Sequence, residues 1–586
     1  CKKSAKIKSG TETSTYCRAV FWEIGLKKTE SEGKMRKTEI RILQIFLGGI
    51  SLLFGGFYEY TSYLSGIFLC LFLLWLWKRR GQLSFCFNIT GIALAVLCLG
   101  YGLAVFWGVD RGMSFLGFLK VIPLLLFLLT AMQFTVQEKA EILKAVPWTG
   151  LLILGISMGA FVTGIGKSVF FLSGRLGGSF QYSNTMALYF LLGMVILFYL
   201  EKKRGRYRFF VFCLYMGILF TGSRSVFFLG ALWLVFTGIK EKKHRWFHLL
   251  LLVLSGVAGI LYVSFTGDYQ NIGRFLTSSL HSSTFLGRIL YWNDGIRILA
   301  DHPLGLGYRG YSYIQGLYQT GVYQVQFIHN EYLQFMLDAG VLPGLFFTAA
   351  LVRELFSGGK LPVQRMILIL TAVHCLMDFD LQFLVMFCLL LLCADTEGRR
   401  KQAGWKKGLP VLPGAAGCLV WGYFSLMGIF LYIGQDEAAY QMFPWYTDAG
   451  ERMLMYGDSL EKAEEISGRI LSCNSRSAVA WSTRALLGNR DKDYEMVIES
   501  QRKAIALNPY EKQEYLFYLE MLEQGRMYGA STGNQKILGL CTDEMTAIPE
   551  KMEQILERTS FWGMQIQDRP DLTLPGEVQE YLEQLK

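Results

Sequence analysis

Charge is scarce in this chain. Only 18% of its 586 residues are charged, against 52% hydrophobic and 15% aromatic. A soluble chain of this size carries more charge. The apolar residues also come in blocks of about 20, long enough to cross a bilayer. This excludes a large soluble enzyme and predicts an all-α, polytopic transmembrane bundle. Cysteine pairing is a second absence. The twelve cysteines are scattered and no C-x-x-C pair occurs. Cys70, Cys86, Cys98, Cys213, Cys375, Cys388, Cys393 and Cys418 lie in or beside apolar blocks and read as small packing residues. Cys473 and Cys541 lie in a polar tail and are the one pair open to a disulfide. There is no Walker loop, no dinucleotide glycine motif, no zinc spacing and no H-E-x-x-H. No cofactor and no metal are expected, so any chemistry falls to arginines and a base. The net charge of +11 is not a nucleic-acid signature either. Its lysines and arginines cluster in short loops between apolar blocks, where they set topology.

The apolar blocks fall at 41–58, 62–77, 85–107, 114–134, 147–165, 183–200, 207–222, 224–239, 247–266, 331–356, 362–377, 379–394 and 409–433. They predict about thirteen spans, with tight hairpins near 222 and 378 that could be re-entrant. Residues 1–34 are polar and basic and read as a disordered extension without a cleavable signal, before Met35-Arg-Lys leads into the first span. The most basic loops are Lys78-Arg-Arg80, 201–206, 240–245, Arg353 to Arg365 and 399–407. Each follows an even-numbered block. A cytoplasmic N-terminus therefore makes all of them cytoplasmic. The same alternation puts Arg175, the Arg224 turn, the 267–330 loop, Asp378, Asp380 and everything after 433 outside.

Several outer-side residues have no obvious place in a passive scaffold. Arginine near a membrane bundle is costly and calls for a reason. Arg175 lies in Ser-Gly-Arg175-Leu-Gly-Gly-Ser-Phe-Gln-Tyr-Ser-Asn184, where glycines let the backbone approach an anion closely; a turn arginine reaching for water is the plainer reading. Arg224, in Thr221-Gly-Ser-Arg-Ser225, interrupts two apolar blocks. Its fork of donors suits phosphate oxygens, or it pairs with Asp378 or Asp380. Arg288 and Trp292 share a face if their segment is helical. Trp292 could then stack on a sugar or on lipid, or the segment could lie on the membrane as an amphipathic helix. His329 precedes Asn330 at the start of the tenth block. A helix N-terminus keeps an imidazole neutral, and a neutral histidine can take a proton from a hydroxyl; a structural histidine is equally compatible with the residues.

Taken in order, Arg175…Gly-Ser-Phe…Asn184, Thr221-Gly-Ser-Arg-Ser225, Arg288…Trp292, Pro303-Leu-Gly-Leu-Gly307 and His329-Asn-Glu-Tyr-Leu-Gln334…Gly340 resemble the O-antigen ligase and O-antigen polymerase superfamily of bacterial membrane glycosyltransferases. The resemblance covers roughly residues 40 to 395. It implies a glycosyltransferase-C-like helical bundle in the cytoplasmic membrane, over residues 35–433. It implies transfer of a glycan from undecaprenyl diphosphate to a hydroxyl of a glycan, lipid or protein acceptor, without metal and with inversion. By similarity His329 is the general base. Arg288 and Arg224 bind the donor diphosphate, and Arg175, Asn184, Trp292 and Asn330 complete the substrate site.

Residues 434–586 change character: they are charged and helix-forming. Leu471-Ser-Cys-Asn474 and Ile505-Ala-Leu-Asn508 stand 34 residues apart, as do Trp481 and Tyr515. That period marks tetratricopeptide repeats, which bind proteins; a generic helical tail is the alternative. A transporter of lipid-linked saccharide and a non-catalytic scaffold recruiting partners through the tail are the competing functions.

Overall fold

The computed structural model describes residues 36–202, 205–266, 283–357, 359–395, 400–403, 411–457 and 460–585. The expected N-terminal extension and the 267–282 part of the outer loop lie outside the described residues. A helix stands at each apolar block. Five helices are long and apolar enough to cross a membrane by length and composition: Glu59–Arg80, Arg111–Ala131, Val136–Thr163, Ser183–Glu201 and Val411–Tyr432. Others are shorter, such as Ile89–Leu103, Tyr207–Thr221 and Leu384–Cys393, so the blocks are not thirteen uniform spans. The most informative departure is the block at 331–356. It forms two helices, Glu331–Ala339 and Val341–Phe356, broken at Gly340.

Local chemistry explains the helix ends. Asn88, Asp110 and Asn330 each accept a hydrogen bond from a first-turn amide, and Thr135 with Glu138 forms a reciprocal capping box. Gly81, Gly164 and Gly222 end helices in the left-handed conformation.

Charge sorts to the two ends of the bundle. At one end Lys144 pairs with Glu201 at 3.1 Å, Lys202 with Glu241 at 2.5 Å and Lys360 with Glu354 at 2.7 Å. Arg80 pairs with Glu39. The other end holds Arg175, the Gly222 turn, the Ser283–Asp301 helix and the turn around Asp378.

The polar tail is packed onto this second end. Ala439, Tyr446, Ala449, Ile470 and Ala480 belong to the same buried cluster as the bundle core. A separate core, with Tyr494, Val497, Tyr515, Tyr518, Leu522 and Met545, follows. Helices Ala478–Asp491 and Lys512–Thr532 begin 34 residues apart, the interval seen in the sequence. At the junction Asp110 accepts hydrogen bonds from Thr447 and Asn474, and Arg309 pairs with Asp448. Cys473 and Cys541 are both free and buried in different parts of the tail, so the disulfide open in the sequence is not formed.

Candidate active site

Asp378 is the hub of this second end. It lies in the short turn between the Pro362–His374 helix and the Asp380–Gln382 3-10 turn. Its side chain is fully buried. A carboxylate so placed needs donors to offset its lost hydration, and it has them. The Tyr182 hydroxyl donates at 2.7 Å, Asn184 Nδ2 at 2.8 Å and its neighbour's Phe379 amide at 3.0 Å. The Arg288 guanidinium binds at 3.2 Å and His329 Nδ1 stands 3.4 Å away. Burial alone would raise the Asp378 carboxyl. The His329 ring and then the Arg288 guanidinium hold it below the ordinary value instead.

The three predicted arginines stand on different elements, and Arg288 and Arg175 are joined to the hub. Arg288 lies on the Ser283–Asp301 helix. Arg175 follows a two-residue turn, Ser173-Gly174, in which both residues have positive φ (50° and 75°). That turn closes the tiny hairpin pairing Phe171–Leu172 with Arg175–Leu176. Arg175 donates to Thr221 O at 2.8 Å and to Asn184 Oδ1 at 3.0 Å, so Asn184 bridges Arg175 to Asp378. Arg224 opens the Arg224–Lys240 helix. Asp378, which the sequence offers to Arg224, is held by Arg288, Tyr182 and Asn184.

The His329-Asn-Glu-Tyr-Leu-Gln334 motif resolves into one candidate reactive group and a set of braces. Asn330 caps the following helix at the Leu333 amide (3.1 Å) and donates to Leu376 O (3.2 Å). Glu331 accepts from the Leu381 amide (2.9 Å) and Gln382 Nε2 (2.7 Å). Tyr332 donates to Ala372 O and Gln334 accepts from the Ile328 amide. Trp292, expected to stack on a sugar, donates its indole N–H to His329 O at 3.3 Å. These contacts hold His329 at φ +54°, a left-handed backbone that costs a non-glycine residue of order 1–3 kcal/mol. Its Nδ1 is buried, and at 3.4 Å the approach to Asp378 is too loose for a full hydrogen bond. Catalytic pairs are often long before substrate arrives. With Nδ1 turned to the carboxylate, Nε2 is the ring nitrogen left to meet a hydroxyl.

The loop Pro303–Gly307 explains the helix break. The Leu306 amide donates to Leu337 O at 2.6 Å, Gly307 to Asp338 O at 3.0 Å, and Val341 to Pro303 O at 2.9 Å. The first two bonds satisfy carbonyls that the break exposes and the third satisfies an amide at the start of the next helix. A Cβ on Gly305 would lie 2.5 Å from Gly340 N, so only glycine permits the approach.

Sequence reasoning missed a second array. Asp380 accepts from Thr185 at 2.8 Å and binds His374 Nδ1 at 2.5 Å; His374 Nε2 meets Ser225 Oγ at 3.0 Å. Asp378-Phe379-Asp380 has the spacing of an acidic metal-binding pair, yet the two carboxylates face different partners. The signal available in the sequence was two carboxylates in a turn between apolar helices, which is costly unless each is bound. A cavity of about 30 Å³ lies nearby, lined by Lys120, Tyr308, Leu381 and Gln382 among others. It has the size for a water, not a sugar.

Residues 209–348 match the family model described as O-antigen ligase (Wzy_C). This segment holds Arg224, Arg288, Trp292, His329 and Asn330. No match was found among curated proteins or among solved structures. That match, within an all-α membrane bundle, supports a general role in lipid-linked glycan transfer or polymerisation.

Proposed function

We propose that this integral membrane protein, an O-antigen ligase by its matched domain, moves a glycan from undecaprenyl diphosphate to an acceptor hydroxyl on the outer side of the cytoplasmic membrane. His329 Nε2 takes the proton of that hydroxyl as its oxygen attacks the anomeric carbon of the donor sugar. The bond to the diphosphate breaks, and the configuration inverts. Arg288 and Arg224 bind the diphosphate and stabilise its charge as it leaves, with Arg175 as a further cation. Asp378 orients the imidazole and offsets the charge it gains, in the manner of a triad carboxylate. No metal is required in this scheme. The acceptor is a glycan, a lipid or a protein, and the helical tail recruits a partner.

The observation that carries this reading is that one buried carboxylate touches both the candidate base and a candidate phosphate-binding arginine. A base and a leaving-group cation are then fixed relative to each other. Such fixed positioning accounts for much of enzymic rate enhancement.

The test compares wild type with Arg224→Ala, Arg288→Ala and His329→Asn in the native host, with envelope glycans resolved on a gel. Asparagine is chosen because it tolerates the left-handed backbone at 329. The expected result is loss of polymer or of its attachment, with lipid-linked precursor accumulating. Normal glycans in all three variants, each present in the membrane at wild-type amount, end the proposal.

A further inference from the structure

We propose that residues 558–566 of the tail are a strut that fixes the Arg288 helix against the His329 turn, which makes this stretch a positioning part of the active site. The inference rests on the roles of Arg288 and His329 proposed above.

Among the described residues, the half of the Ser283–Asp301 helix that carries Arg288 is buried at Leu286, Gly287 and Leu290. Leu286 and Leu290, flanking Arg288, are buried with Tyr323 and with Ile566 of the tail. The other half of the helix is secured elsewhere, through Ile298 with Ile314, Ile328 and Leu333. Ile566 therefore covers the part of the helix nearest the hub.

A chain of polar contacts runs alongside. The Ser560 amide donates to Thr320 O at 2.9 Å and its hydroxyl lies 3.1 Å from the same oxygen. Arg558 reaches Gly316 O at 3.4 Å. Thr320 in turn is held by Asp294 of the Arg288 helix. Its amide donates to Asp294 Oδ2 at 3.0 Å and its hydroxyl to Oδ1 at 2.8 Å, while Tyr323 donates to Oδ2 at 3.0 Å. The backbones of tail and loop meet at two glycines. A Cβ on Gly321 would lie 2.7 Å from Gly563 Cα, and a Cβ on Gly563 would strike Thr320 O. From Asp294 the same helix leads through Trp292 to His329 O. The tail thus bears on both reacting groups through one rigid element, and a displacement of about 1 Å at such a site can cost on the order of a hundredfold in rate.

The full chain tests this in isolated membranes, by the initial rate of transfer from the host's own lipid-linked glycan pool. Gly563→Leu drives a side chain into Thr320 O, and Ile566→Ala removes the buried contact more gently. Gly539→Ala is the control, because nothing lies near that position. Both strut variants should transfer at least about tenfold more slowly, with Gly539→Ala unchanged. Amide exchange should rise across 283–301 and 320–323 and stay unchanged in the Ser183–Glu201 helix, which separates displacement from unfolding. Adding Gly563→Leu to Arg288→Lys should slow transfer by less than it does alone, since part of the strut's effect is exerted through Arg288. Wild-type exchange and rate in Ile566→Ala and Gly563→Leu overturn the strut. If Arg288→Lys itself transfers at the wild-type rate, the catalytic reading fails, while the exchange result still reports whether the tail holds the helix.

Discussion

Replacing Asp378 by Asn keeps the shape of the hub and removes its charge. The amide can still accept from the Phe379 amide, but it no longer neutralises Arg288 or supports a charged His329. Removing one partner of a buried pair costs about 3–5 kcal/mol when the other charge is left without compensation. Asp378→Asn is therefore expected to lower transfer by roughly a hundredfold or more, the range of a lost acid–base arrangement, and to lower thermal stability in detergent. Equal transfer and equal melting would remove Asp378 from the site. Asp380→Asn separates the two arrays. It breaks the His374 contact behind Ser225 and leaves the Asp378 contacts intact. Arg224 lies within the Ser223–Ser225 stretch that this contact steadies, so a partial loss of transfer is expected, smaller than that of either Asp378→Asn or Arg224→Ala in the same assay.

At the scale of elements, the short helix that follows His329, Glu331–Ala339, is broken from Val341–Phe356 at Gly340. Gly340 holds φ +99° and a Cβ there would lie 2.8 Å from Leu304 O. Gly340→Ala should cost about 1–3 kcal/mol and lower the amount of folded protein, whereas Gly539→Ala, in open space, should not. Normal amount and melting of Gly340→Ala would mean that the break is not required. The thirteen apolar blocks are legible in the sequence because burial in lipid or core demands long apolar runs. The break is not, because Gly340 interrupts the hydropathy of 331–356 without ending it. Its cause is a loop more than thirty residues earlier in the chain.

At the scale of the whole molecule, tail and bundle meet through carboxyls that prefer to be protonated. Burial pushes Asp110 up to about 6, against the bonds it accepts from Thr447, Met113 and Asn474. Burial, aided by Asp448, pushes Glu451 up to about 7. A carboxyl whose folded value is raised contributes stability at low pH that is lost as pH rises through that value. For Asp110 the window runs from its ordinary 3.8 to about 6, and for Glu451 from 4.5 to about 7. Limited proteolysis of the junction should therefore be slower at pH 5 than at pH 7.5. Asp110→Asn, which carries no charge at either pH, should flatten that difference; a pH dependence unchanged by the variant would exclude Asp110 as its source.

The sequence alone determined that this is a helical membrane chain and which groups beside its apolar blocks are chemically unusual. Hydropathy and charge act locally, and each arginine or histidine beside an apolar block declares its own cost. Only the tertiary structure decided which of these groups meet. Asp378 gathers residues from three other segments, Tyr182 with Asn184, Arg288 and His329. It also gave Trp292 and Asn330 carbonyl partners, His329 O and Leu376 O, that no sequence pattern shows. The docking of 558–566 on the Arg288 helix was equally invisible, because the contact is made by backbone at Gly321 and Gly563, and close approach between distant glycines leaves no pattern in either stretch of sequence.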